Sequence, residues 1–542
     1  MAWLTSHNTT RICIEETSSQ EDAYPQEQGN MGLLKSFLGL PEATDKVLHL
    51  AKIMAILGPL ANFTFVLSTT FYVIFVAEAL GGGSGMYLQG MGLVGTLVVV
   101  QMVVQTMLDY PTGAIGDWIG QRWIIASSCI CFAVSFIMLS FVTTSTPFLY
   151  LVVVYLLAGI AASQQSGAFS AWFDNNYRVA MPGDSDRKQY GVFLGRTGMV
   201  MQIVATASLI PGSILAVLFS RPWVFQFQGV LALVLALISF RLVRDFPEVE
   251  AQRIERPDMG EYISILKGGV SFLFRYPFVR YIVMGGMLAT SSIMVWGNLI
   301  LFPMYYLYLI TDVAVASFRT LLFLPGILAQ ERSGIWSRRF QPKKWIPRFR
   351  FMETCGFVFF WLFATIMYLF PPVAGESSNI ISIYWPFTGI QLLTLPLENL
   401  LPIVLIFTIF VTTSFFGGFA DVLTQRVLLD VIPNRIRNSM YSLYPTIATI
   451  FAIPQIALFG WLIMIIGFPL TLAGCGIVSL VGVIMIVHGF RHEPPEREEA
   501  TWSDRGPALD QSTGATTRDE VEVESELLDT IEQLLDDKPP KD

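Results

Sequence analysis

The chain has 542 residues, of which 53% are hydrophobic and 14% are charged. Soluble domains carry about 25% charged residues, so this composition excludes an ordinary soluble enzyme and indicates an integral membrane protein. The formal net charge of −8 comes from the C-terminal end, because residues 491–542 hold 16 Asp and Glu against 6 Lys and Arg, a balance of −10 that leaves +2 for the remainder.

Both ends of the chain are polar. Residues 1–30 lack the apolar core and cleavage site of a signal peptide, and we predict that residues 1–50 form a cytoplasmic arm. Residues 491–542 are predicted to be an acidic disordered tail. Leucines of helical spacing near its end, between Leu527 and Leu535, are compatible with a short helix for a protein partner or with a transient solvated helix.

Apolar runs of membrane-spanning length follow one another between these ends. A bilayer core of about 30 Å requires about 20 apolar residues per helix. The twelve runs are 54–77, 86–108, 123–142, 148–171, 191–218, 223–240, 280–304, 313–330, 351–370, 401–419, 441–466 and 469–490. The long connection before the tenth run is apolar enough to predict an interfacial or re-entrant segment.

A long basic connector at residues 241–279 divides the runs into six plus six. We therefore predict an all-α polytopic membrane protein of twelve transmembrane helices, with an N-terminal half at 51–240 and a C-terminal half at 280–490. Within the connector, Tyr262–Phe274 is amphipathic and is predicted to lie along the membrane surface.

The basic residues are distributed asymmetrically between the connectors. Lys and Arg are concentrated in the connectors that follow even-numbered runs, whereas those that follow odd-numbered runs carry only Arg221. The positive-inside rule then predicts that both termini lie in the cytoplasm and that the protein is a multi-pass component of the cell membrane.

The connector between the second and third runs carries the most specific motif. It reads DYPTGAIGDWIGQR from Asp109 to Arg122, with Gly113, Asp117 and Gly120 completing the pattern G-x-x-x-D-x-x-G-x-R. This pattern resembles the signature loop between helices two and three of the major facilitator superfamily. The glycines permit close helix approach, and the carboxylate can accept bonds from a neighbouring helix N-terminus. The resemblance implies a transporter in which this loop acts as a cytoplasmic gate.

The connector after the eighth run, GIWSRRFQPKKW, echoes this motif, which supports two repeated halves. Two further charged residues stand at the same depth as the loop. Asp174 ends the fourth run in the sequence AWFDNN, which resembles the ending of helix four in many members of the superfamily, and is predicted to be a gate or a structural ion-pair partner. Arg196 lies inside the fifth run, where it can extend to the surface or pair with Asp109 or Asp174 as part of the gate.

Amide side chains from both halves share a depth near the middle of the bilayer. They are Asn62, Gln101, Gln164, Gln202, Asn298 and Gln455. An amide in a membrane needs a polar partner, so each one alone is typical of helix packing, whereas the group together indicates a binding site. Trp296 offers aromatic surface to an apolar solute. The superfamily resemblance implies a central cavity formed mainly by helices one, four, seven and ten.

Several kinds of chemistry are absent from the sequence. Glu78, Asp312 and Glu353 stand at run ends and no acid lies at mid-bilayer, so no acidic relay for proton coupling is predicted. There is no phosphate-binding lysine loop and no nucleophile–histidine pair, and the five cysteines lack metal-ligand spacing. We expect neither an enzyme nor a cofactor, a metal or a nucleic-acid partner.

The sequence therefore predicts a monomeric secondary transporter that works by alternating access and exports an amphipathic or apolar organic solute. Two alternatives stay open. One is an uptake symporter for a small polar solute, and the other is a transport-inactive sensor or scaffold that acts through the acidic tail.

Overall fold

The chain forms a bundle of long helices in the computed structural model. The structure describes residues 35–184, 187–251, 253, 259–323, 339–373, 379–384, 386, 391–432 and 434–495. Ten helices in this part of the chain are long and apolar enough to cross a membrane. The prediction of an all-α polytopic membrane protein is therefore confirmed.

The N-terminal half contains spans 1 to 6, numbered as the predicted runs. They are Asp45–Gly81, Tyr87–Ile119, Gln121–Ser140, Phe148–Ala180, Lys188–Leu218 and Arg221–Leu242. Three of these spans are interrupted. The pieces are Asp45–Val66 and Thr69–Gly81 in span 1, Phe148–Gln165 and Ala168–Ala180 in span 4, and Lys188–Ala207 and Leu209–Leu218 in span 5. Most spans are longer than their predicted runs, because the helices continue through polar residues at their ends.

Two short helices, Pro247–Ala251 and Met259–Arg275, lie between the halves. The second confirms the predicted amphipathic helix. Its Phe272 and Leu273 are buried in an apolar cluster with residues of spans 7 and 9, so one face of this helix packs on the C-terminal half.

The C-terminal half contains spans 7 to 12. Span 7 comprises Pro277–Val295, a π-helical turn Trp296–Ile300 and Leu301–Leu309, and span 8 is described over 312–323. Span 9 comprises Pro342–Met352 and Phe357–Leu369, and span 10 contains the helix Leu400–Val431. Spans 11 and 12 lie within Asn434–Gly489, which is divided at Gly467, where φ is 76°.

The connection between spans 9 and 10, which is predicted to be interfacial or re-entrant, is not helical where the structure describes it. It contains an antiparallel hairpin of strands β1 (Ile380–Tyr384) and β2 (Gln391–Pro396), in which Ile381 pairs with Leu395. The three β-branched isoleucines and the tyrosine of IISIY favour a strand over a helix. We call this end of the bundle the hairpin end and the opposite end, which carries the connector between the halves, the linker end.

The two halves approach each other most closely between spans 2 and 11. A Cβ atom built on Gly95 would lie 2.9 Å from the Ile456 carbonyl oxygen and 3.1 Å from the Gly460 Cα. Any larger side chain at this position would therefore separate the helices. Both contacts lie on the hairpin-end side of the two spans, since span 2 starts at that end and span 11 finishes there.

Candidate functional site

The loop that resembles the superfamily signature is built around a glycine turn. The chain turns at Gly120, where φ is 99°, and a Cβ there would lie 2.7 Å from Arg253 Nη2 of the linker. Gln121 Nε2 donates a 3.0 Å hydrogen bond to Asp117 Oδ1. A Cβ on Gly113 would meet no atom within 4 Å. The close approach expected of the glycines is therefore found at Gly120, against an arginine side chain of the linker, and not at Gly113.

Arg122, the last residue of the motif, lies against aromatic rings. Its guanidinium carbon is 5.7 Å from the ring centroid of Trp123 and 5.6 Å from that of Phe240. A cation over an aromatic face is attracted by the ring quadrupole. Arg122 thus helps to fasten span 3 to span 6 inside the N-terminal half.

Asp174 binds two arginines at the linker end of span 4. Arg178 Nη2 and Arg187 Nη1 each donate to a different carboxylate oxygen of Asp174 over 2.8 Å. The Asp174 side chain is 18% exposed. All three residues belong to the N-terminal half, so Asp174 ties span 4 to the connector that follows it.

A polar network extends from span 4 to the linker. Asn176 Nδ2 donates a 2.9 Å bond to Asp245, and Arg253 Nη2 donates a 2.6 Å bond to the other oxygen of that carboxylate. The buried Trp172 donates from its indole nitrogen to the Arg244 carbonyl at 3.2 Å. Asp245 and Arg253 border a cavity of about 300 Å³ that Asp117 also lines. The network therefore joins the signature loop and span 4 to the start of the linker.

Arg196 does not form the gating ion pair that the sequence suggested. Its Nη1 donates to the backbone carbonyls of Ser36 and Phe37, the latter at 2.7 Å. Asp109 is exposed on span 2, with the Ser166 hydroxyl as a neighbour. The N-terminal arm folds back against span 5, and the carbonyls at a helix C-terminus attract a guanidinium. Backbone carbonyls of the arm therefore bind Arg196 where the sequence suggested a carboxylate.

The predicted amides divide into two groups. Asn298 on span 7 and Gln202 on span 5 are exposed, and Asn62, Gln101 and Gln164 are half-buried. A polar side chain inside a membrane span does not face hydrocarbon, because lipid cannot satisfy its hydrogen bonds. We therefore expect the exposed amides to face water, and each half contributes one of them.

Two predicted binding residues are placed in the packed interior. Gln455 is 9% exposed, and its Nε2 donates to Ser291 Oγ at 2.6 Å, which joins spans 11 and 7. Trp296 is 4% exposed, with Phe359 and Phe363 at ring-centroid distances of 5.1 and 5.5 Å. Both side chains serve helix packing in this structure, since neighbouring side chains cover the surface that a solute would need.

A charged cluster that the sequence did not predict joins the two halves at the hairpin end. We call Glu78, Arg221 and Asp312 the hairpin-end latch. Arg221 donates to both oxygens of Asp312 from Nε and Nη2 at 2.9 Å, and to Glu78 Oε2 from Nη1 at 2.7 Å. The three side chains are only 16%, 13% and 8% exposed for Arg221, Glu78 and Asp312. Glu78 and Arg221 belong to the N-terminal half and Asp312 to the other.

Aromatic residues surround the latch. The Arg221 guanidinium lies 5.5 Å from the Tyr306 ring centroid and 5.9 Å from that of Phe71. Tyr87 donates from its hydroxyl to the Pro303 carbonyl at 3.1 Å, which adds a second bond between the halves. The only clue in the sequence was that Arg221 is the single basic residue in the connectors at this end, where Glu78 and Asp312 also stand.

The contacts between the halves are strongest at the hairpin end. The latch, the Tyr87 bond and the approach of spans 2 and 11 all lie there, whereas Asp109 and Gln202 are exposed further toward the linker end. The structure thus joins the two halves at the hairpin end and exposes polar side chains of spans 2 and 5 nearer the linker end.

A cation without a carboxylate partner among the described residues lies inside the C-terminal half. Arg319, seven residues after Asp312, is about 10 Å further along span 8 at 1.5 Å per residue. Its guanidinium carbon is 5.6 Å from the Phe410 ring centroid of span 10. Among the residues that the structure describes, it has no ion pair with a carboxylate. Because a charge at this depth is costly, such residues usually serve a function.

Two helical halves joined by ion pairs at one end are an architecture of membrane transporters. The family model of the Major Facilitator Superfamily matches residues 54–390, more than half of the chain, and the chain belongs to that family. It is therefore a membrane transporter of small-molecule solutes and not an enzyme.

Solved structures share this fold at low sequence identity. The nucleoside transporter NupG is 12% identical, with a TM-score of 0.56 over 83% of this chain and 100% of that chain. The D-xylose–proton symporter is 11% identical, with a TM-score of 0.55 over 82% of this chain and 97% of that one. The xylose transporter XylE from E. coli in an inward-open conformation is 11% identical, with a TM-score of 0.53 over 82% of this chain and 97% of that chain. No curated protein matches the chain.

Proposed function

We propose that the protein exports an amphipathic organic solute with an acidic group by alternating access. The observation that carries this proposal is the hairpin-end latch, because an ion cluster shared between the halves can close one end while a polar surface stays accessible from the other. Rocking of the halves would break the latch and open the hairpin end. Two such states are what alternating access requires.

The linker end is assigned to the cytoplasm. Its connectors and the first turns of its helices hold most of the Lys and Arg of the membrane body, including those from Arg339 to Arg348, whereas the hairpin end has only Arg221 in its connectors. The positive-inside rule favours this orientation. The structure would then represent an inward-facing state in which a cytoplasmic solute can enter.

The chemistry of the path supports the proposed solute class. Exposed amides at Asn298 and Gln202 can hydrogen-bond a polar group, and Arg319 can bind a carboxylate or phosphate through its guanidinium fork. Phe410 beside Arg319 supplies an apolar contact. Export is the proposed direction because an amphipathic solute in the cytoplasm or the inner leaflet has direct access to this surface.

Flux measurements test the proposal. Comparison of metabolites accumulated by cells with and without the protein nominates the solute, and reconstituted vesicles then measure its movement in each direction. Arg319→Gln should raise KM about 10- to 100-fold, because a hydrogen bond to a charged group contributes about 1.5–3 kcal/mol. The matched control is Arg348→Gln, an exposed arginine at the linker end.

Three outcomes would contradict the proposal in different ways. Flux that is faster inward than outward identifies an uptake carrier. Equal effects of the two arginine substitutions remove the anion-binding role of Arg319. The absence of any protein-dependent flux favours a sensor or scaffold that acts through the tail, which lies outside the described residues.

A further inference from the structure

An apolar cavity lies between spans 9, 10 and 12 near the linker end. Its volume is about 310 Å³, and its walls include Trp345, Phe349 and Met352 of span 9, Phe416 of span 10 and Val483 of span 12. The surface exposed inside the cavity is entirely apolar. Such a cavity suits a hydrocarbon chain, because a polar group placed there would lose its hydrogen bonds to water.

Spans 9 and 12 expose apolar side chains on the outside of the bundle. The exposed residues include Trp361 and Leu362 of span 9 and Val481 and Ile484 of span 12. Exposed apolar surface of this kind marks contact with a membrane. Met352, which lines the cavity, is exposed as well. The cavity thus lies on the lipid-facing side of the C-terminal half.

The cavity extends inward from the linker-end tips of these helices. Trp345 is the fourth residue of the helix Pro342–Met352. Val483 is six residues before Gly489, where the helix of span 12 ends, which is about 9 Å at 1.5 Å per residue. Tryptophan is enriched at the level of the lipid headgroups. The cavity therefore lies at the depth where a lipid of the nearer leaflet passes from its headgroup to its acyl chains.

Exposed cations stand beside the cavity. Arg339, Lys343 and Lys344 are exposed, and none of them has a hydrogen bond or an ion pair with the residues that the structure describes. Residues four apart lie on one face of a helix, so Lys343 and Lys344 stand one turn ahead of two residues of the cavity wall, Pro347 and Arg348. The two lysines are therefore on the linker-end side of the cavity.

Arg348 has a partner that the two lysines lack. Its guanidinium carbon is 5.3 Å from the ring centroid of Trp345, and a cation over an aromatic face is attracted by the ring quadrupole. Lysine side chains are long and flexible, so their stems can cover apolar surface while their ammonium groups stay in the headgroup layer. Lys343 and Lys344 are therefore the cations that remain available to a bound molecule.

An apolar cavity beside free cations fits an anionic lipid. The acyl chain would fill the cavity and the phosphate would lie against the lysines, since basic pockets on the cytoplasmic side of membrane helices bind anionic headgroups. A zwitterionic lipid would bring no net charge to the lysines. The acidic residues 491–542 would satisfy only the lysines, because their carboxylates would lose water inside an apolar cavity.

We propose that this cavity binds an acyl chain of an anionic phospholipid of the cytoplasmic leaflet, whose headgroup is held by Lys343 and Lys344. The site goes beyond the proposed transport function and requires no solute. It rests only on the assignment of the linker end to the cytoplasm. The bound lipid would cover the exposed side of Met352 and join the start of span 9 to spans 10 and 12.

Fluorescence quenching by brominated lipid tests the proposal on the full-length protein. Phosphatidylcholine nanodiscs receive a rising fraction of phosphatidylglycerol that carries bromine on its acyl chains. The difference between the parent and Trp345→Phe isolates the signal of Trp345 from the other tryptophans. Phosphatidylglycerol should quench Trp345 at a much lower fraction than brominated phosphatidylcholine does. The double variant Lys343→Gln and Lys344→Gln should reduce this preference about 30-fold, which corresponds to about 2 kcal/mol for two lysines near anionic lipid.

Controls separate a built site from general attraction to a charged membrane. The matched control is Arg241→Gln with Arg244→Gln, which removes two exposed cations from the linker end of the N-terminal half and should leave the preference unchanged. Equal quenching by the two lipids, an equal loss in the control, or no quenching of Trp345 would overturn the site. Deletion of residues 500–542 should not change the result. Quenching that appears only after this deletion would identify the acidic tail as the occupant instead.

Discussion

Replacement of Asp312 by Asn tests the latch most directly. Arg221 keeps its partner Glu78 in the same half, so the change removes the charged contact across the halves and leaves the N-terminal half paired. Hydrogen bonds to charged groups contribute about 1.5–3 kcal/mol, and the Asn oxygen retains one weaker bond, so the net loss is about 2 kcal/mol. Since 1.4 kcal/mol is tenfold in population, the shift toward an open hairpin end should be about 30-fold.

The assay compares Asp312→Asn with Glu78→Gln, each of which replaces a carboxylate by an amide of the same shape. Labels at Leu149→Cys and Leu401→Cys, positions that are 72% and 54% exposed near the hairpin end, report its opening by distance measurement in nanodiscs. Glu78→Gln is the matched control, because it removes an Arg221 contact within one half. Equal distance distributions for Asp312→Asn and Glu78→Gln would show that the latch does not hold the halves together.

Three further predictions follow from other parts of the molecule. Asp117→Asn should favour the inward-open state by about 1–2 kcal/mol if the signature loop binds a helix end only when the cytoplasmic side is shut, and labelling at position 105 should then become faster. Partial burial of Asp184 is outweighed by hydrogen bonds from Tyr177 and the amides of residues 188–190, which hold the pKa of Asp184 below its usual value. Its stabilising contribution should thus be complete above about pH 4 and decline as pH falls further, and thermal unfolding of Asp184→Asn should lack this decline. Deletion of residues 500–542 should leave insertion and flux intact, as size-exclusion chromatography and vesicle assays would show.

Hydropathy and charge were sufficient to predict the helical membrane fold and the amphipathic helix of the linker. The latch was not predictable, because Glu78, Arg221 and Asp312 end different helices and no local pattern indicates which ends meet. Asp421, which lies within the helix of span 10 and accepts a 2.7 Å hydrogen bond from Arg350, was missed for another reason. When hydropathy is read along the sequence, a polar residue ends an apolar run. The helix itself continues through that residue wherever protein or water satisfies the hydrogen bonds of its side chain.

For the amides, the position along each helix was predictable, but the direction of the side chain was not. Gln455 and Asn298 have similar positions in their runs, yet one bonds Ser291 in the interior and the other is exposed. Depth along a helix can be counted from the sequence, but the direction of each side chain depends on the rotation of its helix in the bundle. Trp296 was misplaced for the same reason, since its ring packs inward against Phe359.

The contact between Arg196 and the N-terminal arm has a practical consequence for protein engineering. Hydropathy alone would allow the chain to be shortened to the start of span 1 at Asp45. That cut would remove Leu40, which is fully buried, together with the carbonyls that bind the Arg196 side chain. It would also remove Thr44, whose hydroxyl accepts from the Val47 amide and donates to the Ala180 carbonyl. Affinity tags and fluorescent fusions are therefore better attached ahead of residue 35, where they leave this anchor of spans 1, 4 and 5 in place.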